Sequence, residues 1–249
     1  MLENSRAIAA IRGSTQPVNR KRRHSARIIF VTGTDTGVGK TILTGLLVHH
    51  LRSTGCHALA MKPFCSGGRA DVRLLRAMQD AELTKDEINP FYFPEPVAPL
   101  ISARKHKRTI TLREVVRRIK EIAARCECLL IEGSGGLLVP LAKNYFVSDL
   151  ISALNCEVIV VSRNRLGTLN HTLLTVAALK NLRVKHITVA LMAVNKMDPS
   201  CVTNGQILSE FLKPIPIREV EFLGKNPNKI GALKKSCKKI KKTLAQFCV

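Results

Sequence analysis

One glycine-rich segment constrains the fold of this 249-residue chain more than any other feature. It reads Gly33-Thr-Asp-Thr-Gly-Val-Gly-Lys-Thr41, and it lies between an apolar run and a helical pattern. A phosphate-binding loop needs this context, because glycines turn backbone N–H groups towards phosphate oxygens and the helix N-terminus attracts anions. Lys40 is then expected to reach the β- and γ-phosphates, and the Thr41 hydroxyl to ligate Mg²⁺. The alternative, a plain glycine turn before a helix, explains Gly-Lys-Thr poorly.

Two positions of this loop refine the prediction. Thr34 stands where the strict spacing expects a glycine, and Gly33 comes one residue early. A subgroup of loop ATPases that partition DNA or position themselves on membranes carries a signature lysine five residues before the motif lysine. Asp35 occupies that position here, which argues against that class.

Short apolar runs alternate with helical patterns along the rest of the chain. Strands are predicted at 28–32, 57–61, 128–131, 158–161, 187–194 and 215–220, and helices at 40–53, 70–78, 112–125, 168–182 and 207–212. This alternation predicts an α/β fold, a parallel sheet flanked by helices of the P-loop NTPase type. Residues 89–99, with four prolines and three aromatic residues, are predicted to form a covering loop. We expect one domain over residues 27–249.

The net charge of +22 is concentrated at the two ends of the chain. Residues 1–26 form a basic arm that we predict to be disordered; a transit peptide or an over-long start would look the same. Near the C-terminus, lysines alternate with an apolar stripe at helical spacing: Leu233, Cys237, Ile240, Leu244 and Phe247. This pattern favours an amphipathic helix docked on the core with its lysines in water, over nucleic-acid binding.

Composition excludes several classes of protein. Hydrophobic residues make up 45% of the chain, enough for a packed core, but no apolar run reaches the ~18–20 residues of a membrane helix. Tryptophan is absent, so the stacking platforms of many RNA-binding proteins are missing. The eight cysteines form no Cys-x-x-Cys pair, which predicts reduced, mostly buried thiols in a cytoplasmic protein. The first residues contain no apolar h-region, so a secretory signal is not expected.

Polar motifs follow the predicted strands, at residues 33–41, 62–67, 132–136, 162–167 and 195–198. The active sites of parallel sheets lie beyond the carboxyl ends of the strands, so these motifs are expected to meet. Lys62 could neutralise charge on a transferring phosphoryl group, although it could also be a surface lysine. Asp71 and Glu132 are candidate Mg²⁺ ligands, although an Asp that opens a helix is usually a cap.

At these residues the sequence resembles the dethiobiotin synthase family. The shared segments are Val31–Thr41, Lys62-Pro63 with Ser66-Gly67, Asn89-Pro90 with Glu95-Pro96, Ile131–Gly136, and Leu166-Gly167 with Asn170–Thr175. They occur in the family's order between about residues 28 and 230, and the last segment belongs to no generic ATPase.

The resemblance implies ATP- and Mg²⁺-dependent closure of a ureido ring on 7,8-diaminopelargonate with CO₂, through a carbamate and a carbamic–phosphoric anhydride, by a homodimer. Lys40 and Lys62 would be catalytic, and Thr41, Asp71 and Glu132 would bind the metal. The implied nucleotide-binding residues are Gly37, Val38, Gly39, Lys40, Thr41, Ile42, Asp71, Glu132, Gly133, Ser134, Gly135, Asn195 and Lys196. The implied substrate-binding residues are Ser66 and, from the neighbouring subunit, Gly167, Thr168, Leu169 and Asn170.

Three departures from the family pattern leave the nucleotide base preference open. Gly37 replaces a residue that is often acidic, residues 218–221 do not read like Gly-x-Ile-Pro, and Asn228 stands where an acidic residue is common.

Two alternatives belong to other functional classes. The first is a partitioning or membrane-type ATPase that binds DNA or lipid through its basic ends. The second is a non-catalytic nucleotide-binding protein, which the intact set of Lys40, Thr41, Asp71 and Glu132 argues against.

Overall fold

The computed structural model describes residues 26–248. The predicted basic arm at residues 1–26 lies outside this range except for its last residue. The strands are β1 (Arg27–Gly33), β2 (Ala58–Met61), β3 (Phe64–Ser66), β4 (Phe91–Phe93), β5 (Cys128–Glu132), β6 (Pro140–Ala142), β7 (Tyr145–Phe146), β8 (Glu157–Arg163), β9 (Ile187–Met192) and β10 (Ile217–Val220). The helices are α1 (Lys40–Ser53), α2 (Ala70–Met78), α3 (Lys85–Ile88), α4 (Pro99–Lys105), α5 (Leu112–Ala123), α6 (Val147–Leu154), α7 (Thr168–Asn181), α8 (Asn204–Leu212), α9 (Ile230–Lys239) and α10 (Lys241–Ala245), with a 3₁₀ turn at Pro199–Val202.

Six strands form one parallel sheet in the order β10-β9-β8-β1-β5-β2. The central strands are apolar and buried on both faces, as a parallel sheet covered by helices requires. The predicted α/β class, a parallel sheet flanked by helices, is confirmed.

The strand order reverses at β1, which pairs with β5 on one side and β8 on the other. The connection from β1 through α1 leads to β2, on the same side of β1 as β5. The chain crosses to the other side of β1 only after β5, when it enters β8. A crevice opens where neighbouring strands send their connections in opposite directions, and ligands of such sheets bind there. The glycine-rich loop after β1 therefore lies at the switch point of the sheet.

The prediction of a loop over residues 89–99 was partly wrong. Phe91–Phe93 form β4, which pairs in parallel with β3, and α4 begins at Pro99. Phe91 and Phe93 are buried, so burial of aromatic side chains and pairing with a distant segment override the flanking prolines. Helices α4 and α6 were not predicted either.

The C-terminal segment packs as predicted, since its apolar stripe is buried: Leu233, Cys237, Ile240, Leu244 and Phe247. Helix α9 contacts α1 and α2, and α10 contacts α1 and β10. The stripe is divided between two helices that meet at Ile240, rather than carried by one.

Two further predictions concern thiols and membranes. All eight cysteines are free; four of them are buried and the other four are half-buried, so half of the thiols rather than most are fully buried. Within residues 26–248, no helix combines the length and the apolar character needed to cross a membrane.

Candidate active site

The loop after β1 has the geometry of a phosphate-binding loop. Gly37 and Gly39 have φ angles of +71° and +111°, a left-handed region in which any side chain would be strained. Lys40 begins α1, is buried, and folds back so that its Nζ donates to the Asp35 carbonyl oxygen at 2.8 Å. Burial lowers the pKa of Lys40 to about 8. The loop is thus shaped around a desolvated cation at the start of a helix.

A cluster of one lysine, two carboxylates and a hydroxyl lies beside this loop. Lys62 Nζ donates to Asp71 Oδ2 at 2.7 Å and to Glu132 Oε1 at 2.5 Å. Thr41 Oγ1 donates to the same Glu132 oxygen at 2.6 Å. Burial pulls the pKa of Lys62 down, but the charges of Glu132 and Asp71 outweigh burial, and the pKa is raised above its ordinary value. Lys62 is therefore a fixed positive charge at neutral pH.

Three chain segments bring Lys62 and the two carboxylates of this cluster together. Lys62 follows β2, Glu132 ends β5 next to it, and Asp71 lies in the first turn of α2. The Asp71 side chain pairs with Lys62, so its interpretation as a simple helix cap was wrong. Lys62 is buried, so its interpretation as a surface lysine was also wrong.

The oxygen atoms of this cluster fit Mg²⁺. Glu132 is only 1% exposed, and its Oε2 has no hydrogen-bond partner among residues 26–248. An unpartnered buried carboxylate oxygen is costly, and a hard divalent cation would satisfy it. Thr41 and Asp71 supply two further oxygens close to the same lysine. Two carboxylates and a hydroxyl suit a metal that takes its other ligands from phosphate and water.

A cleft of about 900 Å³ contains this cluster and the loop. It brings together most of the predicted nucleotide-binding residues: Gly37, Val38, Gly39, Lys40, Thr41, Ile42, Asp71, Glu132, Gly135 and Asn195, together with Lys62. Most of the remaining lining comes from the end of β9 and from the segment around and after the end of β10: Met192, Ala193, Val194, Glu221, Phe222, Leu223, Gly224, Lys225, Pro227 and Asn228. This volume is in the range of small-molecule sites.

Three predicted nucleotide-binding residues do not line the cleft. Gly133 packs against Phe30, where an added Cβ would lie 2.8 Å from the ring. Ser134 Oγ donates to the Phe64 carbonyl oxygen at 2.9 Å and so ties the loop after β5 to β3. Lys196 is exposed beyond Asn195. Gly133 and Ser134 shape the cleft, and nucleotide contact by these three residues remains a prediction.

The predicted substrate-binding residues also lie outside the cleft lining. Ser66 ends β3, and its hydroxyl is buried without a hydrogen-bond partner in the described part of the chain. Gly167 has a φ of +90° and precedes α7, which begins at Thr168. Thr168 is buried, Leu169 is half-buried and Asn170 is exposed.

Sequence reasoning did not single out Arg163, nor residues 222–225 and Pro227 of the cleft wall. Arg163 ends β8, lines the cleft and donates from Nη2 to the Gly37 carbonyl oxygen. Its place just after a predicted strand was the available signal. The family resemblance pointed to Glu221 and Asn228, but residues 222–225 and Pro227 carry no comparable signal, because they join the cleft through the packing of β10 beside β9.

The fold and this site define a P-loop nucleotide-binding protein. Solved structures support the fold alone. The cell division protein MinD of Aquifex aeolicus has a TM-score of 0.57 at 13% identity, covering 90% of this chain and 97% of that one. A ParA family ATPase of Chlorobium tepidum has a TM-score of 0.53 at 14% identity, covering 90% and 98%.

Sequence comparison gives the family. A family described as an AAA domain matches residues 27–231. The ATP-dependent dethiobiotin synthetase BioD of Bacillus licheniformis is 42% identical over 67% of this chain and 73% of its own length. Its counterpart in Bacillus velezensis is 37% identical over 77% and 84%, and that of Methanococcus vannielii is 38% identical over 71% and 80%. The chain belongs to the ATP-dependent dethiobiotin synthetase family.

Proposed function

We propose that this chain is a ligase that closes the ureido ring of dethiobiotin from 7,8-diaminopelargonate and CO₂, with ATP converted to ADP and phosphate. The observation that carries the proposal is Lys62, a buried cation held between Glu132 and Asp71 and facing a phosphate loop. A loop that only binds nucleotide has no need of this second cation. The names of the similar proteins agree with this reading.

The reaction needs positioning and charge more than covalent catalysis. One substrate amine captures CO₂ as a carbamate, and a carbamate oxygen attacks the γ-phosphorus while ADP leaves. The second amine then attacks the carbonyl carbon of the carbamic–phosphoric anhydride, phosphate leaves, and the ring closes. Each of these steps develops or moves negative charge on oxygen, which fixed cations stabilise.

Lys40 and Lys62 supply those cations from two directions. Lys40 lies at the N-terminus of α1, where the helix dipole and the loop N–H groups also favour phosphate oxygens. Lys62 faces the loop from the carboxyl end of β2, so it can hold carbamate and γ-phosphate oxygens together. Thr41, Asp71 and Glu132 would hold Mg²⁺, which supplies neutralisation of phosphate charge when bound.

We propose a homodimer in which residues 167–170 of one subunit receive the substrate carboxylate beside Ser66 of the other. Because α7 begins at Thr168, the N–H groups of Leu169 and Asn170 have no intrahelical acceptor, and they suit an anion. Several large apolar side chains are exposed around α7, which is typical of a surface that another subunit covers: Leu166, Leu174, Met197 and Val202.

Two further assignments complete the proposal. Asn195 lines the cleft after the end of β9, where it can read the adenine base, and Glu221 and Asn228, which line the same cleft, set the base preference. The free thiols support the reducing cytoplasm as the compartment. Residues 27–249 act as one domain.

Purified protein with ATP, Mg²⁺, bicarbonate and 7,8-diaminopelargonate tests the proposal. Phosphate and dethiobiotin are expected in equal amounts, and omission of the diamine should stop phosphate release. Lys62→Ala should lower turnover by ~10²-fold or more, the scale for loss of one charge stabiliser. Lys120→Ala, which changes an exposed lysine of α5, is the matched control. Brisk phosphate release without the diamine, stimulated by DNA or liposomes, would replace this proposal with a partitioning-type ATPase.

A further inference from the structure

Four hydroxyl groups meet beneath the phosphate loop, on the side away from Lys62. Ser162 Oγ lies 3.4 Å from Thr34 Oγ1, 2.5 Å from Thr168 Oγ1 and 3.0 Å from Thr172 Oγ1. Ser162, Thr168 and Thr172 are buried, and Ser162 is only 1% exposed. We call these four residues the hydroxyl cluster. Ser162 is its centre, because the other three hydroxyls all contact it.

The hydroxyl cluster joins two segments that are far apart in sequence. Thr34 is the first residue after β1 and belongs to the phosphate loop. Its N–H group donates to the Val161 carbonyl oxygen of β8 at 3.0 Å, which ties the loop to that strand. Thr168 is the first residue of α7, and Thr172 lies one turn further along. Ser162, near the end of β8, therefore lies between the phosphate loop and the start of α7.

Counting protons fixes the direction of these bonds. A hydroxyl has one proton and two lone pairs. Thr34 and Thr172 both donate to Ser162, so its lone pairs are used and its single proton goes to Thr168. The proton of Thr168 has no acceptor in any other residue from 26 to 248. Ser162 is saturated, while Thr168 keeps one donor for a group outside the cluster.

We propose that Ser162 is a positioning residue that couples nucleotide binding at the phosphate loop to substrate binding at the start of α7. A nucleotide that fixes the loop fixes Thr34, and the saturated Ser162 transmits that position to Thr168. The inference rests on the proposed function, in which residues 167–170 bind the carboxylate of the diamine. In the proposed dimer, α7 completes the partner's site, so the coupling runs between the two sites.

Titration calorimetry with wild-type protein, Mg²⁺, a non-hydrolysable ATP analogue and 7,8-diaminopelargonate measures the coupling. The diamine is titrated with and without the analogue, and the ratio of the two dissociation constants is the coupling factor. For wild type we expect at least about 5-fold tighter binding, the lower end of usual allosteric factors, and the same factor when the order of ligands is reversed. Ser162→Ala should bring the factor close to one.

Thr175→Ala is the matched control, because its hydroxyl is on the same helix but donates to the His171 carbonyl oxygen at 2.8 Å, outside the cluster. It should keep the wild-type factor. If Ser162→Ala fails to fold, Thr172→Val replaces it, since this variant keeps the side-chain shape and removes one donor to Ser162; a reduced factor is expected.

The coupling factor separates positioning from packing. A Ser162 that only packs would weaken both ligands equally and leave the factor unchanged, which would overturn the proposal. A wild-type factor of one, in a protein that makes dethiobiotin, would overturn it while leaving the proposed function intact. A wild-type protein that neither binds the diamine nor forms dethiobiotin would overturn both.

Discussion

The Lys62–Glu132 pair predicts a stability effect as well as an effect on catalysis. Lys62→Met keeps the length of the side chain and removes its charge, which leaves the carboxylate of Glu132 buried with Thr41 as its one remaining partner among residues 26–248. Removing one partner of a buried ion pair costs about 3–5 kcal/mol, because the remaining charge is uncompensated. The pair with Asp71 adds little, since that side chain is 43% exposed and exposed pairs contribute at most about 1 kcal/mol.

We therefore expect Lys62→Met to lower the free energy of unfolding by about 3 kcal/mol or more, a large part of the roughly 5–15 kcal/mol of a typical domain. The chain has no tryptophan, so urea unfolding is best followed by far-UV circular dichroism, with a chelator present to remove divalent cations. Glu132→Gln should cost less, because Lys62 keeps Asp71 as a partner. The double variant should be more stable than Lys62→Met alone.

The double-mutant cycle decides whether the reasoning holds. A loss below about 1 kcal/mol for Lys62→Met would show that the buried carboxylate is satisfied by something other than Lys62. Additive effects of the two single changes would show that their charges do not interact. Either result would also remove the main support for Lys62 as the cation that faces the carbamate.

Three further predictions concern thiols, the tail and assembly. Burial raises the pKa values of Cys128 and Cys156 to about 12, so at about pH 8 only ~10⁻⁴ of each is thiolate; mass spectrometry should find both unalkylated by iodoacetamide until urea is added. Ile240→Asp should destabilise the protein by more than about 3 kcal/mol in thermal or urea unfolding, because it buries an unpaired charge. Lys238→Gln with Lys241→Gln should change stability by under ~0.5 kcal/mol and leave turnover nearly unchanged. A large loss of turnover in this double variant would show that the lysines bind a partner. Light scattering should give twice the 27.5 kDa chain mass, and full activity at the single mass would refute the proposed dimer.

The sheet could be predicted because each of its strands has a pattern that can be recognised in the local sequence. The runs that became β1, β5 and β8 are short and continuously apolar, and those of β1 and β8 are followed by a helical pattern. The pairing of β3 with β4 could not be found in this way. Each has three residues, and β4 is flanked by prolines, so its strand conformation depends on a partner that lies about 25 residues away.

The two halves of the candidate site also differ in how far the local sequence predicts them. The phosphate loop is one contiguous segment, and Lys62 and Glu132 each follow a predicted strand. Because the carboxyl ends of parallel strands meet at one edge of the sheet, the sequence alone predicts that these residues lie together, as they do in the cleft. Residues 222–225 and Pro227 enter the cleft because β10 packs beside β9 and the chain continues from β10 into the cleft wall. The role of Ser162 was also hidden, because it depends on three hydroxyls from two other segments.

The lysine-rich tail shows why net charge alone is a poor guide to function. Helix α9 packs against α1 and α2, the helices whose first turns carry Lys40, Thr41 and Asp71. Two of the outward lysines form ion pairs: Lys234 lies 3.5 Å from Asp80, and Lys239 lies 3.0 Å from Glu221 on the cleft wall. The inner face of the tail thus supports the helices that carry the site. Exposed lysines cost little in water, so the net charge of the tail does not by itself predict a nucleic-acid partner.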